Sequence, residues 1–580
     1  MTQPHPQEQQ AHWLSKYAKN YHTWTLTTDP ASSQKTFKRP LGLIETSFDT
    51  DGRYFGGRAD MTALFTLAVR HKLSTADLRR RIALAWTSLR LQHVLLMSRA
   101  ADDESGERCF FVDVPCSTQE AVRGVEEGIV WMDDLYGAGD VDEQELYQHA
   151  LNVGRIVDPE TCMSRVFVLP LTERADGTVE IRFLIVMGHQ ISDGLSAYNW
   201  FSHFIRILNT SGSEIEAEIT SALHEDQIRK CLPPAQEDLY PVIAGSKARQ
   251  RWFWALIRVL RHVNRTFPPT FVNPLRREHR LEKAVAFEPK YARIFDYSEA
   301  KRPPMNGGNI GATLSASTSE RLMSLCREAK VSIGAGCFAL AGMSMMEIHE
   351  EWYPDIPAAE RPAFAASFPL NPRAFFANPP AADSCMLAFS EGIVMPSLPS
   401  TLPVEGRFRL IAKHANRELK IYQKRLKAKT GAEGVDVSLD KHSPGRLLAS
   451  GYVATLERVD AKLPPERRTH VTPQGSLEAS MGQYGATCGV SSVGSIAPFF
   501  KAGRNDLNDM SGKDMVADYR NLRIGVRARE YEFLIGSSTN AEGRVGFGVS
   551  FDMNAISIEA AEKWKQKIEN LLEKGSGLKL

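Results

Sequence analysis

Apolar positions along this chain keep two rhythms. Ile181 to Met187 is a run of branched and aromatic residues interrupted only by Arg182, the pattern of a buried strand. Ser164 to Pro170 predicts its partner across a turn at Asp176-Gly177. After Gly194 the spacing becomes helical, with Leu195, Tyr198, Phe201, Ile205 and Leu208 on one stripe. The same rhythm over Leu73 to Met97, with Ser74 as start signal, predicts a helix that turns Ala83, Trp86, Leu89 and Leu96 to the core. Residues 1–35 read as a polar arm whose aromatic segment, Tyr17 to Trp24, is expected to dock. Acidic stretches at Ala101 to Glu107 and Glu126 to Glu145 read as surface loops or helix faces.

Proline punctuates the middle of the chain. Pro233, Pro234 and Pro241 break the pattern, Pro268, Pro269 and Pro274 break it again, and Pro303, Pro304 and Gly307-Gly308 open a further half. The expected division is an N-terminal half over 1–235, a connector over 236–305 and a C-terminal half over 306–580. Inside the connector, Arg251 to Arg265 is a basic, aromatic helix candidate with Arg251, Arg258, Arg261 and Arg265 mostly to one side. Two readings fit it. One is a helix that packs its Trp and Phe onto the two halves while its arginines snorkel to water. The other is a weak contact with a membrane surface or an acidic partner.

Composition narrows the class. At 580 residues the chain has room for large cores. Seventy basic against 69 acidic residues leave no surplus for an electrostatic nucleic-acid binder. Eight cysteines without a Cys-x-x-Cys pair or a Cys/His ligand spacing read as buried thiols in a reducing compartment, not as metal ligands. Met1 to Gln10 lacks the regions of a secretion signal, and no apolar run reaches about 18 residues. The expectation is a cytoplasmic protein without a transmembrane segment.

The candidate chemistry sits where the strand gives way to the helix, in His189-Gln190-Ile191-Ser192-Asp193-Gly194. No other histidine in the chain has an Asp four residues on. A neutral imidazole there can take a proton from a hydroxyl near pH 7 and return it. Asp193 is read as holding the turn or tying a cation, and Gly194 as removing a side chain where substrate or backbone comes close. Two further signals are discounted. Asp383-Ser384 resembles a carrier-protein attachment site without the Gly-Gly context, and the Gly-rich stretch Gly482 to Gly494 lacks the Lys-Ser or Lys-Thr of a phosphate loop. That stretch reads instead as a tightly packed strand near a ligand tunnel.

His-x-x-x-Asp-Gly after a core strand resembles the superfamily of coenzyme A-dependent acyltransferases and nonribosomal-peptide condensation domains, whose fold is named after chloramphenicol acetyltransferase. The resemblance extends to Gly311–Glu320 with Val331–Leu340, to Phe368–Arg373, to Gly489–Gly494 and to Arg544–Asp552. Gly188 stands where condensation domains have a second His, and Gly546-Phe547-Gly548 is all that matches the Asp-Phe-Gly-Trp-Gly signature of the plant-type enzymes. What remains is most similar to fungal secondary-metabolite acetyltransferases of the trichothecene 15-O-acetyltransferase type.

The resemblance implies an α/β (α+β) fold of two subdomains, each a mixed sheet flanked by helices, with a tunnel between them. It implies an O-acyltransferase that moves acetyl from acetyl-coenzyme A to a hydroxyl of a hydrophobic terpenoid-like metabolite. His189 is then the general base, Arg373 the partner of Asp193, and Ser491 or Ser492 the oxyanion donor. The alternative for each serine is a side chain bonded to backbone. No permanently bound cofactor or metal is implied, and a monomer is expected. Two other readings stay open: a free-standing condensation or cyclisation enzyme fed by a carrier-protein thioester, and a noncatalytic binding protein of the same fold.

Overall fold

The computed structural model describes residues 13–573 except 138, 264–267, 284–286, 302–305, 377, 391, 423–442 and 480–485. Two large mixed sheets organise it. Their strands, in chain order, are β1 (Met61–His71), β2 (Ile129–Trp131), β3 (Ser164–Val168), β4 (Val179–Met187), β5 (Gly307–Thr313), β6 (Phe364–Ser367), β7 (Ile393–Met395), β8 (Cys488–Ser495), β9 (Met515–Val526), β10 (Phe533–Thr539) and β11 (Val545–Asp552). One sheet runs β9-β1-β4-β3-β2, with Thr172–Glu173 edging β4, and the other runs β5-β11-β10-β8-β6-β7. The helices used below are α1 (Leu43–Tyr54), α2 (Thr75–Gln92), α3 (Gly194–Leu208), α4 (Lys247–His262), α5 (Ala316–Ala329), α6 (Ile333–Trp352), α7 (Val404–Ile421) and α8 (Pro444–Lys462). The α/β class and the two helix-flanked mixed sheets are as the sequence led us to expect.

The strand that precedes the motif is apolar throughout because both its faces are covered. Phe183, Ile185 and Met187 join one core, while Leu184 and Val186 join another on the opposite side of the sheet. β3 and β4 pair antiparallel from Ser164↔Met187 to Val168↔Phe183, the hairpin expected from their spacing. Ser74 caps α2, accepting a hydrogen bond from the Asp77 N–H at 3.2 Å, and Ala83, Trp86 and Leu89 are buried beneath it. On α3 the stripe divides. Phe201, Ile205 and Leu208 are buried, whereas Leu195 and Tyr198 near its start are only partly covered and line a cavity. The C-terminal half opens with β5, α5 and α6, and Ser315 and Ser332 cap the two helices.

The halves are not contiguous in the chain. β9, from the C-terminal side, pairs along the whole of β1 from Met515↔His71 to Val526↔Met61, with a bulge between Tyr519 and Asn521. Other details depart from the sequence reading. Within the acidic stretch 126–145, Ile129–Trp131 is a sheet strand, because its three apolar residues pair parallel with β3. Of the eight cysteines, all free, Cys116 is exposed and Cys162 and Cys231 are half-buried, so only five are buried thiols. The arm does dock, with Trp13 and Tyr17 buried against Trp254 of α4 at ring-centroid distances of 5.2 and 5.0 Å. α4 buries Phe253, Trp254 and Ile257, as the connector reading asks, but leaves Trp252 outside. Arg261, expected to snorkel to water, is buried against Glu457 at 2.7 Å, while Arg265 lies outside the described residues. No single helix among the described residues is long and apolar enough to cross a membrane.

Candidate active site

The motif is a turn that ends a strand and caps a helix in six residues. The Gly188 N–H donates to the Met163 carbonyl at 3.0 Å, and the N–H groups of Ile191 and Ser192 fold back onto the carbonyls of Gly188 and His189 at 3.2 and 3.3 Å. A side chain at position 188 would meet the ends of Met163 and Gln190, Cε at 2.8 Å and Oε1 at 2.7 Å, and would require those two side chains to shift. Asp193 is the N-cap of α3. Its Oδ1 accepts from the N–H groups of Leu195 and Ser196 at 3.0 and 2.9 Å, and the Ser196 hydroxyl accepts from the Asp193 N–H at 2.7 Å. Gly194 is the first helical residue, and a Cβ there would meet no protein atom within 4 Å. It opens onto the cavity and makes no close approach to backbone.

The second oxygen of Asp193 is held from the other half. Arg373 Nη2 lies 2.8 Å from Asp193 Oδ2, with both side chains buried. Asn371 shapes the turn that presents Arg373, accepting from the Arg373 N–H at 3.1 Å ahead of Pro372. The segment Asp383 to Met386 completes a clasp. Asp383 accepts from Asn199 Nδ2 at 2.9 Å, the Ser384 carbonyl accepts from Arg373 Nη2 at 2.6 Å, and the Met386 N–H donates to Asp193 Oδ2 at 3.0 Å. The Asp193 carboxylate is thus fully occupied by helix, arginine and clasp, an arrangement suited to holding the turn and not to moving protons.

His189 meets two side chains, one at a face of its ring and one at Nδ1. Phe48 of α1 stacks on its ring at 3.9 Å with 1° between planes, and Cys385 Sγ lies 4.0 Å from Nδ1. No partner is found for Nε2 among the described residues. Burial pushes the His189 imidazole below its ordinary 6.5; Arg529 pushes the same way, while the ring's hydrogen bonding to backbone and the nearby Asp193 charge oppose it. The outcome is a neutral imidazole at pH 7, which is the form able to accept a proton.

His189 opens into a cavity of about 500 Å³ that also touches Asp193, Gly194 and Arg373. A neighbouring cavity of about 450 Å³ shares Tyr198, Ser491, Val493, Ile524, Gly536 and Gly548 with it as lining residues. Their common wall is nearly bare backbone. Gly311 pairs with Gly548, Gly548 with Gly536, and Gly536 with Ser491, a row across four strands without a side chain larger than serine. The strand alternation separates the two candidate serines. Val490 lies in the helix-side core with Cys488, so Ser492 shares that side, and its hydroxyl lies 3.4 Å from where a Cβ on Gly334 of α6 would be. Ser491 faces the cavity with Gly489 and Val493.

The structure therefore brings His189, Asp193, Gly194, Arg373, Ser491 and Ser492 to the lining of one cavity, with Ser491 and Ser492 on opposite faces of their strand. Phe48, Cys385 and Arg529 were missed by sequence reasoning. Phe48 reads as one apolar position in an amphipathic helix, and no local spacing ties it to a histidine that far along the chain. Asp383-Ser384, which resembles a carrier attachment site, is part of the clasp, and Ser384 is buried.

No protein-family model matches this chain, and no curated protein matches it. Solved structures do. The TRI3 trichothecene 15-O-acetyltransferase from Fusarium sporotrichioides superposes with a TM-score of 0.62 at 13% identity, over 95% of this chain and 97% of that one. The condensation domain of the monacolin K polyketide synthase MokA gives 0.51 at 9% identity, over 92% and 96%. The first condensation domain of the calcium-dependent antibiotic synthetase, with a substrate analogue, gives 0.50 at 11% identity, over 92% and 97%. The fold of this chain is the two-subdomain fold of chloramphenicol-acetyltransferase-like acyltransferases and condensation domains.

Proposed function

We propose that this protein is an O-acyltransferase that moves an acyl group, acetyl first among them, from acyl-coenzyme A to a hydroxyl of a hydrophobic small molecule. The observation that carries this reading is the His189 imidazole, stacked on Phe48 beside Cys385 and lining one of two neighbouring cavities of unlike character. The cavity farther from His189 is lined by Arg520, Arg523 and Arg544 with Glu542 as its acid, a setting for the phosphates of coenzyme A. The cavity at His189 is more apolar, with Met61, Leu195, Leu370 and Leu387 in its lining, a setting for the acceptor.

In the proposed reaction His189 Nε2 takes the acceptor hydroxyl proton as the oxygen attacks the thioester carbonyl. The tetrahedral oxyanion collapses with cleavage of the C–S bond, and the imidazolium returns the proton to the leaving thiolate. Ester and free thiol are the products. Ser491 is the assigned oxyanion donor. Its replacement by Ala should lower kcat about a hundredfold, while Ser492→Ala, on the other face of the strand, stays close to wild type; the reverse order in steady-state kinetics removes Ser491 from the role.

The reaction class is tested by incubating wild-type protein and His189→Ala with acetyl-coenzyme A and a metabolite extract, following acetylated products and free thiol by mass. Acetylation by wild type alone is expected, the variant losing on the order of a hundredfold to ten-thousandfold. Turnover with acylated carrier protein but with no acyl-coenzyme A would move the protein to the condensation reading. Ligand binding without product from either donor would leave a binding protein.

A further inference from the structure

α4 carries Lys247, Arg249, Arg251, Arg258, Arg261 and His262, and no acidic residue. Its buried side is spent on the fold: Phe253, Trp254 and Ile257 pack inward, and Arg261 reaches Glu457 and Gln474, each at 2.7 Å. Its other side is unusual for a helix on a protein surface. Trp252 is 64% exposed, Val259 43% and the C-cap Val263 68%. At 3.6 residues per turn these three and the half-buried Leu256 fall within about 60° of arc, on the side away from the buried residues. Exposed Arg251 lies along one flank of this stripe and exposed Arg249 along the other, with exposed Lys247 at the start of the helix.

We propose that α4 docks the protein onto the surface of an anionic lipid bilayer, with Trp252, Val259 and Val263 seated in the interfacial layer and the flanking Arg249 and Arg251 against lipid phosphates. An indole and two valines in a narrow line between cationic flanks match a helix lying in the interface plane, where each basic group adds attraction to anionic headgroups. A groove on an acidic protein would ask for a wider apolar face, and the rest of this helix is already buried.

The test is flotation of the full chain with phosphatidylcholine vesicles made with and without phosphatidylserine, so that it needs no activity and fails separately from the proposed reaction. Binding to the anionic vesicles only is expected, falling severalfold between roughly 0.05 M and 0.5 M salt as screening sets in. Arg249→Ala and Arg251→Ala should each weaken it about fivefold, and Trp252→Ser with Val259→Ser and Val263→Ser should abolish it without changing Tm, since all three side chains are exposed. A wild type that stays unbound, binds neutral vesicles equally, or binds polyglutamate in place of vesicles overturns the proposal. So does undiminished binding by the apolar triple variant.

Discussion

At the scale of single residues, the decisive property is the charge state of one imidazole. His189 must be neutral to accept a proton, and burial first, then the Arg529 cation, hold its pKa below 6.5 against Asp193 and its backbone hydrogen bonding. kcat/KM should accordingly fall on the acid side with an apparent pKa under 6.5. Arg529, tied to Asp51 beside Lys462, also lies 6.0 Å from the Phe48 ring that stacks on His189. Arg529→Gln removes a nearby positive charge, so the acid limb should move to higher pH while the alkaline side is unaffected. A pH profile that does not move, or moves lower, would show that Arg529 does not act on the base. The same depression has a sign for stability. Above the unfolded value of 6.5 the group is neutral in both states and contributes nothing, and below it the unfolded chain binds the proton preferentially, so this residue destabilises the fold as pH falls. His189, Asp193 and Arg373 were legible in the sequence because a local motif and a resemblance mark them. Phe48 and Cys385 were not, since they reach the ring only through tertiary packing.

At the scale of elements, the same six residues have a second task, which is to join a helix start to a clasp from the other half. Asp193 caps α3 with one oxygen and receives Arg373 and Met386 with the other. Replacing it with Asn keeps one acceptor for the cap but leaves a buried guanidinium without its counter-charge. Removing one member of such a buried pair costs about 3–5 kcal/mol. Asp193→Asn should therefore lower the urea midpoint markedly and lose activity with it, whereas His189→Ala should lose activity at an unchanged midpoint. An Asp193→Asn variant that unfolds like wild type yet is inactive would move Asp193 into the proton-transfer step. The start of α2 was readable from sequence because capping is local, as at Ser74. The clasp was not, because Asp383 and Ser384 show only a dipeptide that resembles something else, and their meaning comes from Asn199, Arg373 and Asp193 meeting them in space.

At the scale of the molecule, the two cavities exist because the halves share a strand. Proline and glycine punctuation suggested where to divide the chain, but strand order is a non-local property, and nothing between Met515 and Val526 announces that it pairs with β1. The pairing has a consequence for any attempt to separate the halves. β1 is buried from Met61 to Val69, and β9 supplies the hydrogen-bonding partner along its outer edge. A fragment of residues 1–305 would present that long apolar strand as an unpaired edge, the surface that proteins otherwise cover to avoid edge-to-edge aggregation. Expressed alone it should be insoluble or run as large oligomers in size-exclusion chromatography, and coexpression with residues 306–580 should recover a soluble complex by returning β9 to its place. A monodisperse, folded 1–305 monomer would contradict this. It would mean that β1 can close its own edge, and that β9 serves the cavity wall through Ile524 and its neighbours without being required for the sheet that carries His189.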